Sequence, residues 1–228
     1  MRSPLLYVKL ARSFVRLVRD PDRLDEVFVI ADGLQGTEAV DAMIDHARRD
    51  PQGSRALDDR PRVAIDLPRL RAMPDGTLGR ETARFLDDRG LDPTDIPQRD
   101  ATDPASFVRA HLYETHDLWH VVTGFHTDVA GEIGLQAFYL AQLPARLAPM
   151  LISIAMLNTF LMSFDDRDAR MEAITRGWQL GRAAQQLFGL RWAELWSTPL
   201  VEVRARLGLP PGGVGDGVGP STTARAAA

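Results

Sequence analysis

The sequence predicts an all-α protein: a single-domain multi-helix bundle followed by a disordered C-terminal tail. Three observations predict it. Apolar residues recur at three- and four-residue spacing along most of the chain. Ser-Pro, Asp-Pro and Thr pairs stand where these runs begin, and glycines where they end. Strand-like alternation never lasts more than a few residues, with Val63-Ala64-Ile65 the best candidate for a short strand. The 228 residues suit one domain at 1–210 and a tail at 211–228.

Taken in order, Ser3-Pro4 caps a first helix carrying Leu5, Val8, Leu10, Phe14 and Leu17. Asp20-Pro21 opens a second, with Leu24, Val27, Phe28 and Ala31 before Gly33. Thr37 caps a third, with Val40, Met43, Ile44 and Ala47. Prolines 51, 61, 68 and 74 break the segment from Asp50 to Asp75 into turns and short helices. Thr77 caps a helix that runs to Gly90, and a loop with Pro93 and Pro97 follows. Asp103-Pro104 starts a helix ending at Gly124. Thr127-Asp128 caps the next, which reaches Gln142 just before Pro144. Their short connection predicts antiparallel neighbours.

From Leu147 to Phe164 no residue is charged. Pro149, Ser153, Asn158, Thr159 and Ser163 make this run too polar for a membrane span, and a buried central helix is expected. A sharper expectation is a helix that also lines a pocket for a long apolar ligand or faces a bilayer. A long helix follows from Asp168 to Gly189, then a short unit from Trp192 to Pro210. Pro211–Ala228 is rich in Gly, Pro, Ser, Thr and Ala. It has too little apolar surface to order itself, so deleting Gly212–Ala228 should leave stability nearly unchanged.

Composition excludes several chemistries. There are no cysteines, so thiolate catalysis, disulfides, iron–sulfur clusters and Cys-based zinc sites are out. A net charge of −4 gives no reason to expect nucleic acid as a partner. The first residues do not form a signal peptide, because Lys9, Arg12 and Arg16 interrupt the apolar run. Acidic residues from Asp20 on argue against a transit peptide, so a cytosolic or cytosol-facing protein is expected.

Four of the five histidines lie between His111 and His126. On a helix, His116, His120 and Asp117 fall at roughly 0°, 40° and 100° around the axis. Two imidazoles and a carboxylate can therefore converge, and antiparallel packing would bring Glu132 to the same end. Two nitrogens and two carboxylates suit a cation of borderline hardness: zinc or another divalent metal ion. Four ligands would close a tetrahedral site, while a loose carboxylate would leave a position for substrate or water. The plain alternative is a pair of polar neighbours on a helix. His111, about 140° from His116, is expected at the surface or behind a ligand. His126 falls at the third-ligand spacing of a metallopeptidase. Asp117 stands where such a zinc metallohydrolase needs Glu, however, and Thr123 where it needs Gly.

The run from His116-Asp117-Leu118-Trp119-His120 to Gly131-Glu132 closely resembles the metal motif of the Coq-four family of ubiquinone-biosynthesis proteins, H-D-x-x-H, eleven residues, then E. Asp59-Arg60-Pro61-Arg62-Val63 and Met73–Gly79 look like that family's upstream segments. Trp178–Arg182 and Leu190-Arg191-Trp192 look like its C-terminal ones. The resemblance spans about residues 20 to 208. It implies an all-helical fold, with His116, Asp117, His120 and Glu132 as metal-binding and catalytic residues. It implies action at a membrane surface on a polyprenylated aromatic lipid, with other ubiquinone-biosynthesis enzymes as partners, and homodimerisation. The implied reaction removes the ring carboxylate at C1 and puts a hydroxyl in its place. In a bacterium the protein would sit on the cytoplasmic face of the inner membrane. The alternative is a lipid-binding scaffold with a structural metal. On either reading, Leu135, Phe138 and the uncharged run would supply the apolar surface for the prenyl tail, at about 0.8 kcal/mol per buried CH₂.

Overall fold

The computed structural model describes residues 4–21, 23, 26–27, 29–30, 33, 37–95 and 99–214. Among them ten α-helices occur. They are α1 (Pro4–Arg19), α2 (Thr37–Arg48), α3 (Pro51–Asp59), α4 (Leu67–Arg71), α5 (Leu78–Arg89), α6 (Pro104–Thr123), α7 (Val129–Gln142), α8 (Leu147–Met162), α9 (Arg167–Ala183) and α10 (Leu200–Arg206). Extended pairing among the described residues amounts to one isolated bridge, Thr77 to Pro199. The fold is all-α, as the sequence predicts. Val63-Ala64-Ile65 is irregular chain rather than strand. Ser3, Leu24, Phe28, Ala31 and Pro97 lie outside the described residues.

The caps of the two helices that carry the histidine–carboxylate cluster are where the sequence places them. Asp103 accepts from the Ala105 and Ser106 amides in a full capping box, and Asp128 accepts from the Gly131 amide at 2.7 Å. Gly90 and Gly124 end their helices with positive φ. The main core joins α2 through α7 with α9 and α10 around Phe107, Trp119, Phe138, Phe188 and Trp192. A smaller cluster seals α1 onto α8 through Leu17, Val18 and Ile154.

The structure adds one packing partner and corrects three expectations. First, α7 meets α6 as the short connection predicts but packs most closely on α9. Small residues decide this: a Cβ on Gly177 would meet the Gly134 carbonyl oxygen at 1.9 Å, and one on Gly181 the Phe138 carbonyl oxygen at 2.7 Å. Between α6 and α7 stand large rings, with Trp119 stacked on Tyr139 at 4.1 Å and edge-on to Phe138 at 5.8 Å. Second, α9 ends at Ala183, six residues short of Gly189. The buried Gln142 amide donates to the carbonyls of Gly181 and Gln185, and its oxygen accepts from the Leu187 amide. These bonds pull the chain out of helical register.

Third, α8 is not a buried central helix. Its C-terminal half exposes Leu157, Phe160, Leu161 and Met162 while burying Asn158 and Thr159. Fourth, Gly213 and Val214, placed in the tail by the sequence, are packed against the bundle. Val214 is buried and its amide donates to the Thr123 carbonyl at 2.7 Å, and Gly213 (φ 68°) lies directly against Thr123. Residues 215–228 lie outside the described residues. A chain ending at Pro210 is therefore expected to be less stable than one ending at Val214, by about 1–3 kcal/mol, since it loses a buried valine and orphans a helix-end carbonyl. Equal urea midpoints for the two truncations would contradict this.

Candidate metal centre

Helix α6 carries His116 and His120 one turn apart near its C-terminal end, and that end is held firmly. The Arg204 side chain, from α10, donates to the Val121 and Val122 carbonyls at 3.0 Å each. Gly124 donates to the His120 carbonyl and Val214 to that of Thr123. Farther back, the Arg62 guanidinium and Val63 amide both bind Glu114. The tight 124–128 turn then starts α7 under its Asp128 cap and puts Glu132 in the first turn.

This brings His116, His120 and Glu132 together, with one ligand atom of each within 4.8 Å of the others. The His116 and His120 Nε2 atoms are 3.3 Å apart. From His120 Nε2 to Glu132 Oε1 is 3.2 Å, and from His116 Nε2 to Glu132 Oε2 is 3.7 Å. For an ion bound at about 2.0–2.1 Å, the edge of a tetrahedron is about 3.3 Å. The contacts of His120 match that edge, and the His116–Glu132 contact is longer.

The tautomers strengthen the fit. His120 Nδ1 lies 3.0 Å from the Phe125 carbonyl, which can only accept, so Nδ1 carries the proton. In neutral His120, Nε2 is then a lone pair aimed at the lone pair of Glu132. Two acceptors this close need a cation between them, either a proton or a metal. His116 Nδ1 lies 3.4 Å from the Tyr139 hydroxyl. Both rings thus turn Nε2 inward while a neighbour holds Nδ1, an arrangement that suits metal-binding histidines. Phe85 stacks on His120 at 5.6 Å and backs the ring.

Electrostatics agree. Burial would raise the Glu132 carboxyl, but hydrogen bonds and charge from His116 and His120 outweigh it and hold the group far below the usual carboxylate range. Burial would lower His116, but the Glu132 hydrogen bond and the charges of Glu132 and Asp117 outweigh that and raise it. His120 is 1% exposed, while the side chains of His116 and Glu132 are 34% and 36% exposed. The donor set therefore fits a divalent ion, with a side open to a further ligand.

Asp117 stands apart from the trio. It is half-buried and outside the 4.8 Å group, and its charge acts on His116 and Tyr139. His126 does not join the group either, so the metallopeptidase spacing is not used. Leu135 and Phe138 are fully enclosed in the core, so they offer no surface to a prenyl tail in this conformation.

Tyr139 is the residue that sequence reasoning missed. It lies seven residues after Glu132, two helical turns along the same face, and that spacing was the available signal. Tyr139→Phe is expected to weaken divalent-ion affinity by roughly tenfold, at the low end for a partner of a ligand, given the 3.4 Å bond. Competition with a chelating dye measures it, and an unchanged affinity would refute the role.

His111 is corrected as well. It is neither surface nor ligand-backing but wholly buried between Phe107 and Phe188, accepting from the Gly189 amide at 3.2 Å. Burial chiefly, with the Arg62 charge, lowers its pKa from 6.5 to about 4. Between about pH 6.5 and about 4 the unfolded chain binds this proton and the fold does not, so stability falls as pH drops through that window. The slope approaches about 1.4 kcal/mol per pH unit. Urea titrations should show that slope in the parent and lose it in His111→Gln; equal slopes would contradict the assignment.

Comparison with known proteins covers most of the chain. Residues 6–212 match the family model described as coenzyme Q (ubiquinone) biosynthesis protein Coq4. The mitochondrial ubiquinone biosynthesis protein COQ4 homolog of Xenopus tropicalis is 32% identical over 208 residues, 88% of this chain and 72% of the relative. The Homo sapiens homolog is 32% identical over 214 residues, 91% and 79% respectively. A crystal structure of a Nostoc punctiforme protein superposes with a TM-score of 0.77 at 31% identity, covering 89% of this chain and 97% of its own.

Proposed function

The chain belongs to the Coq4 family of coenzyme Q (ubiquinone) biosynthesis proteins, and on that premise we propose that it removes the C1 carboxylate of a polyprenylated hydroxybenzoate-type precursor with the help of a divalent ion. The single observation that carries this reading is the convergence of His116 Nε2, His120 Nε2 and the Glu132 carboxylate, whose two oxygens lie 3.2 Å from His120 and 3.7 Å from His116. When bound, zinc or a similar ion supplies a Lewis acid that polarises a ring oxygen. The exposed flank between His116 and Glu132 admits the aromatic ring, and Asp117 is the carboxylate that can turn in as a fourth ligand. His120, sealed behind Phe85, keeps its Nε2 directed by the Phe125 carbonyl. Replacing the carboxylate with a hydroxyl also requires an external oxidant, with O₂ the simplest. The same proposal includes work at the cytoplasmic face of a bacterial inner membrane, partnership with other ubiquinone-pathway proteins, and a homodimer.

A second reading is a lipid-binding scaffold whose metal is structural, which a closed four-ligand site would favour. Prenylated hydroxybenzoate labelled in its carboxyl carbon separates the two. Labelled CO₂ released by the metal-loaded parent, and not by Glu132→Ala, supports the enzyme. Ubiquinone synthesis restored in cells by Glu132→Ala would support the scaffold.

A further inference from the structure

Helix α8 is inside out for a helix facing water. Asn158 and Thr159 are buried, whereas Phe160, Leu161, Met162 and Phe164 are 72%, 56%, 65% and 59% exposed, with Leu157 just before them. Five large apolar side chains within eight residues form one patch on the edge of the molecule. The rotation of the helix is fixed from within. The buried Arg170 guanidinium donates to the Ala155 carbonyl at 3.2 Å and to Asn158 Oδ1 and Thr159 Oγ1 at 2.8 Å each. It also pairs with Asp166 at 3.1 Å. Turning the apolar edge inward would strand this buried charge, so the exposure is built in.

The helix beside it supplies complementary charge. Helix α1 packs on α8 through Leu17, Val18 and Ile154, and Asn158 Nδ2 donates to the Val18 carbonyl at 2.8 Å. From Lys9 to Arg19, α1 has four cations and no acidic residue in a chain of net charge −4. Lys9, Arg12, Arg16 and Arg19 are all exposed and fall within an arc of about 80°. Arg16 also pairs with Glu26. The acidic turn after the patch is largely paired, Asp166 with Arg170 and Asp168 with Arg167, leaving Asp165 beside the patch. No helix among the described residues is long and apolar enough to cross a membrane.

The geometry points to the C-terminal edge of α8 and the basic stripe of α1 as one surface that docks the protein on an anionic lipid bilayer. Apolar side chains enter the acyl boundary while the neighbouring cations meet anionic headgroups. This deepens the membrane part of the proposed function and does not depend on the reaction assigned to the metal centre.

Vesicle flotation of the full chain tests it, with phosphatidylcholine alone and with roughly a third phosphatidylglycerol. The parent is expected to float with the anionic vesicles and much less with the neutral ones. Phe160→Glu/Leu161→Glu should reduce flotation about tenfold or more with both, and Arg12→Glu/Arg19→Glu by about tenfold with anionic vesicles only. All four positions are exposed, so melting temperatures and bound metal should stay at parent values. Retained metal in the variants keeps a docking failure distinct from failure of the metal-centre reading. The proposal is overturned if the parent ignores anionic vesicles or if either variant floats like the parent. It is equally overturned if sedimentation shows that Phe160→Glu/Leu161→Glu separates two copies while vesicle binding persists, which would make the patch a self-contact.

Discussion

Glu132→Ala is expected to lower carboxyl-CO₂ release by more than about a hundredfold while the chain stays folded. Changing a residue that merely supports a metal ligand costs about 10–100-fold, and Glu132 is placed to be a ligand itself. Its two oxygens face both histidines, at 3.2 Å from His120 and 3.7 Å from His116. Without it, two Nε2 atoms 3.3 Å apart face each other with no anion to hold a cation between them. The fold should survive because Glu132 is partly exposed and its helix starts from the Asp128 cap, which is untouched. Glu132→Gln keeps the size and removes the charge, so it should fail almost as badly. Turnover in Glu132→Gln within a few-fold of the parent would show that the carboxylate is not needed.

Gly177→Ala is expected to give the largest loss of stability from the smallest change, about 2–3 kcal/mol and a melting temperature lower by roughly 5–10 °C. In an exposed helix this substitution gains about 1 kcal/mol from propensity. Here the new methyl would meet the Gly134 carbonyl oxygen at 1.9 Å, backbone against helix, with no flexible side chain to yield. Helices α7 and α9 would have to separate, and α7 carries Glu132, so metal affinity should fall in parallel. Gln179→Ala, exposed on the same helix, is the control expected within about 0.5 kcal/mol of the parent. A Gly177→Ala protein as stable as that control would mean the two backbones are not in contact.

The difference between what the sequence revealed and what it hid follows the range of the forces involved. Caps at Asp103, Asp128, Gly90 and Gly124 are local bonds within a few residues, and they stand where pattern reading places them. The convergence of His116, His120 and Glu132 was legible because helical spacing and one short turn determine most of it. Long-range packing was not. The choice of α9 over α6 as the main partner of α7 depends on glycines 43 positions apart in sequence (177 − 134 = 43), which no local pattern connects. The end of α9 depends on Gln142, a side chain from another helix. The uncharged run of α8 read as core because hydropathy registers composition. Which face turns inward was settled by Arg170, whose hydrogen bonds reach back 11 to 15 residues. Tyr139 and the Phe125 carbonyl act on the rings of His116 and His120 from outside the motif, and only geometry assigns them.

The most direct test of the metal centre is the metal content of the purified full-length protein after equilibration with zinc and removal of the unbound ion. One equivalent per chain is expected, held through two imidazole nitrogens and carboxylate oxygen in the X-ray absorption spectrum, and lost in His116→Ala, His120→Ala and Glu132→Ala alike. A parent protein that binds no more zinc than those three variants would contradict the account.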